Sequence, residues 1–379
     1  MKKKKSHIPR PRFAGRRVAK QIYQAPRRGV GKRTRQMRRA DSRFRAPRKN
    51  ISRAARWVIA LFALCSLLFA LYLIIFRSSI RTDVSFEVGR GASVSSVASQ
   101  LKAADLIDSE YEFKLLVAGL GGRVLHGIYD IPTGSGVVRI AKMLAKGKVA
   151  NTTIMIPEGL TVQQIYALLG SNQFLRGDSC PRDETGRFAD CHRDGELFPD
   201  TYRVAKGTPR TTVLQMMRKK MQDIERNWSN TGRRLPSPLK TWNEVVTLAS
   251  IVQKETPRVS EMPIVASVYL NRLRKKMRLQ ADPTVVYAIT DGLGDMQGKP
   301  LYTGHLKIDS PYNTYVNYGL PPHPIANVGA DAIRAVLNPA DTNYYFFVAD
   351  GTGGHVFAKD YAEHTANHAK WREIKKSRR

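Results

Sequence analysis

The sequence predicts an α+β fold carried behind a single N-terminal transmembrane helix. Three observations predict it. A run of twenty uncharged residues, Trp57 to Phe76, follows a strongly basic tail. Beyond it, short β-branched stretches alternate with segments of helical apolar period. Gly- and Pro-containing turns separate the two kinds of segment. At 379 residues the chain has room for more than one domain and for a sizeable core.

The formal charge of +32 at first suggests a nucleic-acid partner. Its distribution argues otherwise. Met1 to Arg56 holds 22 Lys/Arg against the single acid Asp41, so +21 of the +32 lies there and only +11 in the rest. Residues 1–56 read as a disordered basic cytoplasmic tail, too poor in large apolar residues to fold. Residues 57–76, WVIALFALCSLLFALYLIIF, read as the membrane span. Twenty helical residues cover roughly 30 Å, the hydrocarbon thickness. The run is longer than a signal-peptide core and ends in Phe76-Arg77, which fits an uncleaved anchor. The positive-inside rule then puts the tail in the cytoplasm and the rest across the membrane. The charge run is thus a topology signal, compatible with a weak secondary affinity for anionic lipid, and no nucleic-acid partner is expected.

The exported part opens with an alternating strand, Ser85 to Val88. Helices follow over Val94–Ala103 and Glu110–Leu120, then a short strand in GIYDIP and a helix over Val137–Leu144. This small α+β unit ends near Lys148. NTTIMIPEG (Asn151 to Gly159) alternates like a strand, and Thr161 opens a helix. GELFPDTYRV reads as extended and Thr211 to Asn227 as a long amphipathic helix. Cys65 lies in the span and reads as a small apolar residue. Cys180 and Cys191 flank the polar loop PRDETGRFAD. In an oxidising compartment they are expected to pair, for about 3 kcal/mol; two free thiols are the alternative. Two cysteines do not make a zinc site.

The stretch LASIVQKETPR, Leu248 to Arg258, raises a chemical question. Thr241-Trp242-Asn243-Glu244 fits a capping box, so a helix starts there. Val245, Leu248 and Val252 form its apolar stripe, and Glu255 continues the stripe at the same spacing. Pro257 closes the helix. Burial and the partial negative charge of a helix C-terminus both disfavour a charged carboxylate there. A pKa above the ordinary value of about 4.3 is expected. Such a carboxyl suits protonation of a glycosidic oxygen. The plainer alternative is a helix end whose polar QKE cluster turns into solvent.

LASIVQKET, then VASVYLNRL, MRLQADPTVVYA, SPYNTYVNYGLPPHPIANVGADAIRAVLNPA and YYFFVADGTGGHVFA resemble, in order, the endolytic murein transglycosylase (YceG-like) family. GELFPDTY upstream matches as well, and the resemblance runs from about Val84 to the C-terminal helix. It implies one transmembrane helix, a LysM-like subdomain over residues 82–148 and a YceG-like catalytic domain over 151–375. The implied location is the inner membrane, with the catalytic domain periplasmic. The family's catalytic glutamate is the second acid of an ExE helix end. This chain has Gln253 in the first position, which leaves Glu255 as the catalytic residue.

The resemblance implies that one carboxyl protonates the oxygen between MurNAc and GlcNAc and then helps deprotonate the MurNAc C6 hydroxyl. That hydroxyl closes on C1 to give a 1,6-anhydro end, without water. A hydrolase needs a second carboxylate. Asp282 is the candidate, unless it only caps the turn before Pro283. Gln280, Asn313, Thr314 and Tyr315 are carried over as cleft residues, with amide, hydroxyl and aromatic groups suited to a saccharide. Tyr202 and Asp200 either line the cleft or fix their loop. His364 and His368 lie four apart, but two ligands without a neighbouring glutamate read as a surface helix, so no metal and no cofactor are expected. GTGGH reads as a hairpin turn, not a phosphate loop. Peptidoglycan strands, the inner membrane and peptidoglycan synthases are the expected partners. A non-catalytic wall-binding division scaffold and a water-using muramidase are the rivals.

Overall fold

The computed structural model describes residues 52–76, 80–182, 186, 188, 189, 191–294, 296 and 298–377. Residues 1–51 of the basic tail, residues 77–79 after the apolar run and part of the cysteine loop lie outside the described residues. Helix α1 spans Arg53–Phe76, so it starts one turn before the apolar run. Its 24 residues rise about 36 Å, and its large apolar side chains from Trp57 to Leu73 all face outward. A helix of a soluble core would bury them. By length and composition α1 can cross a membrane.

Among the described residues three apolar cores follow in chain order. The first lies under β1 (Val84–Val88), α2 (Val94–Ala103), α3 (Glu110–Gly119), β2 (Gly127–Ile131) and α4 (Val137–Ala145). β1 and β2 pair antiparallel, with Phe86 opposite Tyr129. Ser93 and Ser109 cap α2 and α3, each accepting a backbone N–H three residues on. Val97, Leu101, Phe113, Ile140 and Leu144 are fully buried between them.

The second core lies between β3 (Asn151–Met155), α5 (Val162–Ser171), β4 (Leu175–Arg176), β5 (Thr201–Ala205), β6 (Thr208–Pro209) and α6 (Arg210–Ser229). β3 and β5 pair antiparallel and β4 and β6 pair in parallel. Cys180 and Cys191 are bonded at the edge of this core, with Cα atoms 6.2 Å apart. The expected extended GELFPDTYRV becomes strand only from Thr201. Before it the chain turns, because Asn327 reaches in and its Oδ1 accepts the N–H groups of Gly195 and Leu197, both at 3.0 Å.

The third core is helical: α7 (Trp242–Glu255), α8 (Met262–Arg274), α9 (Asp282–Ile289) and α10 (Ala330–Leu337). Hairpin β7 (Phe346–Ala349) and β8 (His355–Ala358) packs on it, and α11 (Tyr361–Ser377) follows. α7 forms because Thr241 and Glu244 close a capping box and Val245 to Val252 are all buried. It ends because Thr256, the residue before Pro257, is extended (φ −137°, ψ 131°).

Candidate active site

The end of α7 opens on a cleft of about 330 Å³. Glu255, Tyr269, Arg272, Gln280, Asp282 and Tyr315 line one part of it. Phe346, Phe347, His355, Tyr361 and His364 line the other. The turn from Thr256 to Glu261 folds α8 back against α7, which brings Tyr269 under the glutamate. The Tyr269 hydroxyl donates to Glu255 Oε1 at 2.6 Å. Tyr269 is 1 % exposed, so that carboxylate is its means of satisfying a buried hydroxyl. Arg272, three residues on, shares the same helix face.

Burial pushes the Glu255 pKa up to about 7; the Tyr269 hydrogen bond lowers it, the Asp282 charge raises it and the Arg272 charge lowers it. Glu255 is therefore a weak acid held at the edge of a water-accessible cleft. Burial, with the Glu255 charge beside it, keeps the Tyr269 hydroxyl far above its ordinary range, so it stays a donor. Arg272 is almost buried and spends its guanidinium on carbonyls: Nε on Tyr345 O at 2.6 Å and Nη1 on Leu279 O at 2.7 Å. It thereby ties α8 both to the start of the hairpin and to the loop that carries Gln280.

That loop is held from the other side by residues 313–315. Gln280 takes a left-handed backbone (φ 49°), which costs a non-glycine residue energy. Its N–H donates to Thr314 O at 3.1 Å, and the N–H of Ala281 donates to Thr314 Oγ1 at 3.0 Å. Thr284 Oγ1 lies 2.8 Å from the same oxygen. Thr314 and Asn313 are both buried, and Asn313 Nδ2 donates to Leu306 O and Ile308 O. Neither lines the cleft. The sequence expected sugar contacts from them; their polar groups are instead spent within the loop, where Asn313 Oδ1 accepts the N–H of Tyr315. Tyr315 does reach the cleft, and its hydroxyl donates to Asp282 Oδ1 at 2.6 Å. Asp282 begins α9 at the turn before Pro283 and also faces the cleft, so the local and the chemical placement coincide.

Tyr202 lies elsewhere, in the second core, with its hydroxyl on Phe198 O at 2.6 Å. Asp200 pairs with Lys220 and accepts the N–H of Thr201. Both fix their loop. Neither Cys180 nor Cys191 lines the cleft.

The hairpin wall is clasped to the α7–α8 turn. Arg258 Nη2 donates to Thr352 O at 2.6 Å, and Glu261 Oε2 lies 2.9 Å from His355 Nδ1. Gly354 sits where a Cβ would strike Arg258 and Glu261, so the glycine in GTGGH serves a close approach. The sequence reading gave no role to Tyr269, Arg272, Phe346 or Tyr361. It took the helix of His364 and His368 for plain surface. His364 instead stacks on Phe346, with centroids 5.1 Å apart, and faces the cleft. Among the described residues no group of three or more His, Cys, Asp or Glu is arranged to hold a metal ion.

This chain is 31 % identical over 307 residues to the protein of Bacillus subtilis (strain 168) named endolytic murein transglycosylase, a match covering 75 % of this chain and 83 % of that one. A protein of the same name from Streptococcus pneumoniae serotype 2 (strain D39 / NCTC 7466) is 27 % identical over 327 residues, covering 75 % of this chain and 57 % of that longer relative. The 2.6 Å crystal structure of a yceG-like protein from Listeria monocytogenes aligns with a TM-score of 0.45 and 27 % identity, over 76 % of this chain and 99 % of that one. The family model described as "YceG-like family" matches residues 86–370, and the chain belongs to that family.

Proposed function

We propose that the chain is an endolytic peptidoglycan lytic transglycosylase, anchored by α1, that cuts the β-1,4 bond between MurNAc and GlcNAc within glycan strands. The observation that carries this reading is Glu255: a carboxyl pushed up to about 7 by burial that nonetheless lines an open cleft. About half of it is protonated at pH 7, against well under about 1 % for an ordinary glutamate, and the protonated form can give its proton to the departing glycosidic oxygen. Tyr269 holds Oε1, which leaves Oε2 to carry that proton. As the C1–O bond breaks, the ionised Glu255 is stabilised by Tyr269 and by the charge of Arg272. The C6 hydroxyl of the same MurNAc attacks C1 and passes its proton to Glu255. The acid is restored and a 1,6-anhydro end results. Attack from within the same sugar carries an entropic advantage over attack by water.

Residues 82–148 form the first core and fit a LysM-like unit that holds the strand, with residues 151–375 as the catalytic domain. The basic tail and α1 fit an inner-membrane protein with a cytoplasmic N-terminus and a periplasmic body. Nascent strands and the synthases that polymerise them are the partners this placement suits, and cleavage there would limit strand length. A buried acid in a cleft disfavours the pure scaffold, because a binding module gains nothing from desolvating it.

Asp282 favours a second reading. It faces the same cleft and acts electrostatically on Glu255, so it is the carboxylate available as the second one a hydrolase needs. End-group analysis by mass spectrometry separates the two. Anhydro-MurNAc ends on internal fragments support the lyase, reducing MurNAc ends the muramidase, and binding without cleavage the scaffold.

A further inference from the structure

The catalytic machinery uses one side of the cleft and leaves the other unexplained. On that side three rings gather from two elements: Phe346 at the start of β7, and Tyr361 and His364 one turn apart on α11. Phe346 and His364 stack, with centroids 5.1 Å apart and planes at 23°. Tyr361 stands 6.1 Å from Phe346 and 6.3 Å from His364. The guanidinium of Arg272 lies 5.3 Å from the Phe346 ring centroid on its way to the backbone it binds. The platform is therefore fixed to the helix that carries Tyr269.

Two features of the rings fit a surface on which a ligand stacks. Tyr361 is 72 % exposed, although a large ring in contact with two others ordinarily packs inward. His364 Nδ1 is buried without a hydrogen-bond partner, and burial lowers the pKa of that imidazole, so the ring is a neutral, apolar-faced member of the stack. A flat ligand with apolar faces and polar edges matches this surface. A pyranose is such a ligand: its axial C–H groups lie on the aromatic face while its hydroxyls point sideways to water.

We infer that Phe346, Tyr361 and His364 form a saccharide-stacking subsite, which receives a sugar ring of the strand next to the pair being cleaved. Tyr361 is the ring that covers the ligand, and Phe346 and His364 are its floor. The subsite binds substrate without touching the reacting atoms, so it acts on affinity and on the length of strand accepted. This inference rests on the reading of the cleft as a glycan site.

The test uses the full chain in detergent micelles with purified uncrosslinked glycan strands. Tyr361→Ala should raise KM by roughly 2- to 12-fold, the span that one aromatic contact supplies. It should leave kcat unchanged, and Tyr361→Phe should behave as wild type, because the ring and not the hydroxyl makes the contact. At a position so exposed the alanine variant does not disturb the core. An unchanged KM in Tyr361→Ala, with wild-type cleavage intact, overturns the subsite and leaves the enzyme reading standing. If the wild type cleaves nothing, strand binding decides, measured in the Glu255→Gln background. Weaker binding on adding Tyr361→Ala then supports the subsite without the activity, and equal binding overturns it.

Discussion

Tyr269 donates its hydroxyl proton to Oε1 of Glu255 across 2.6 Å, from a side chain that is itself buried. The bond favours the ionised carboxylate and so opposes the burial that raises its pKa to about 7. In the free enzyme the active form is the protonated acid. kcat/KM should then be level below that pH and fall tenfold per unit above it. Tyr269→Phe removes a stabiliser of the charged form, so the alkaline limb should move to higher pH, by up to about 1 unit. The rate on the plateau should fall roughly tenfold or more as the acid loses its fixed orientation. A pH–rate profile of both proteins checks this, and an unmoved limb in the variant would show that the hydroxyl does not tune the acid.

The same pKa makes a statement about stability. In the unfolded chain Glu255 titrates near the ordinary value of about 4.3. Between that pH and about 7 the folded state therefore holds more protons than the unfolded one. Stability then falls as pH rises through this window. Glu255→Gln has no such proton to lose. It should match the wild type near pH 4 and exceed it by about 2 kcal/mol at pH 8, with allowance for water in the cleft. Urea denaturation at the two pH values measures the difference, and a variant less stable at pH 8 would contradict the buried acid.

Thr314 gives a contrast between a residue in the cleft and one behind it. Its Oγ1 accepts the buried N–H of Ala281 and meets Thr284. Thr314→Val keeps the shape and strands that N–H, which should cost about 1–3 kcal/mol of stability. Where the variant remains folded its KM should change little. A raised KM with unchanged stability would instead place Thr314 against the sugar.

The bond between Cys180 and Cys191 closes a short loop at the edge of the second core. Reduction, or replacement of both by serine, should lower stability by about 3 kcal/mol in the loop-entropy account. The cleft is lined by other elements, so activity under folding conditions should persist. Equal urea midpoints with and without reductant would show that the loop is held by its packing alone.

The local rules were legible in the sequence. Thr241 and Glu244 announced the start of α7, Pro257 its end, and the stripe through Val245, Leu248 and Val252 placed Glu255 on the buried face. The strands around Phe86 and Tyr129 and the helix after Thr161 followed from apolar period and capping in the same way. Tyr269 and Arg272 were not legible as site residues. VASVYLNRL displays only a helix, and the carboxylate that its tyrosine meets is set by how α8 folds back on α7. Asn313 and Thr314 misled for the opposite reason. Polar residues in a loop suit a sugar and a buried loop's own backbone equally well, and tertiary packing decides between them. Phe346 and His364 are far enough from Glu255 in sequence that only the packing of the hairpin on the helical core, and of α11 on the hairpin, joins them to the cleft.

The most direct measurement compares the full chain with its Glu255→Gln variant on uncrosslinked glycan strands, with products read by mass spectrometry and folding checked by thermal denaturation. The wild type should release internal fragments with 1,6-anhydro-MurNAc ends, and the folded variant none. Anhydro ends produced by the folded variant would contradict the assignment of Glu255 as the acid.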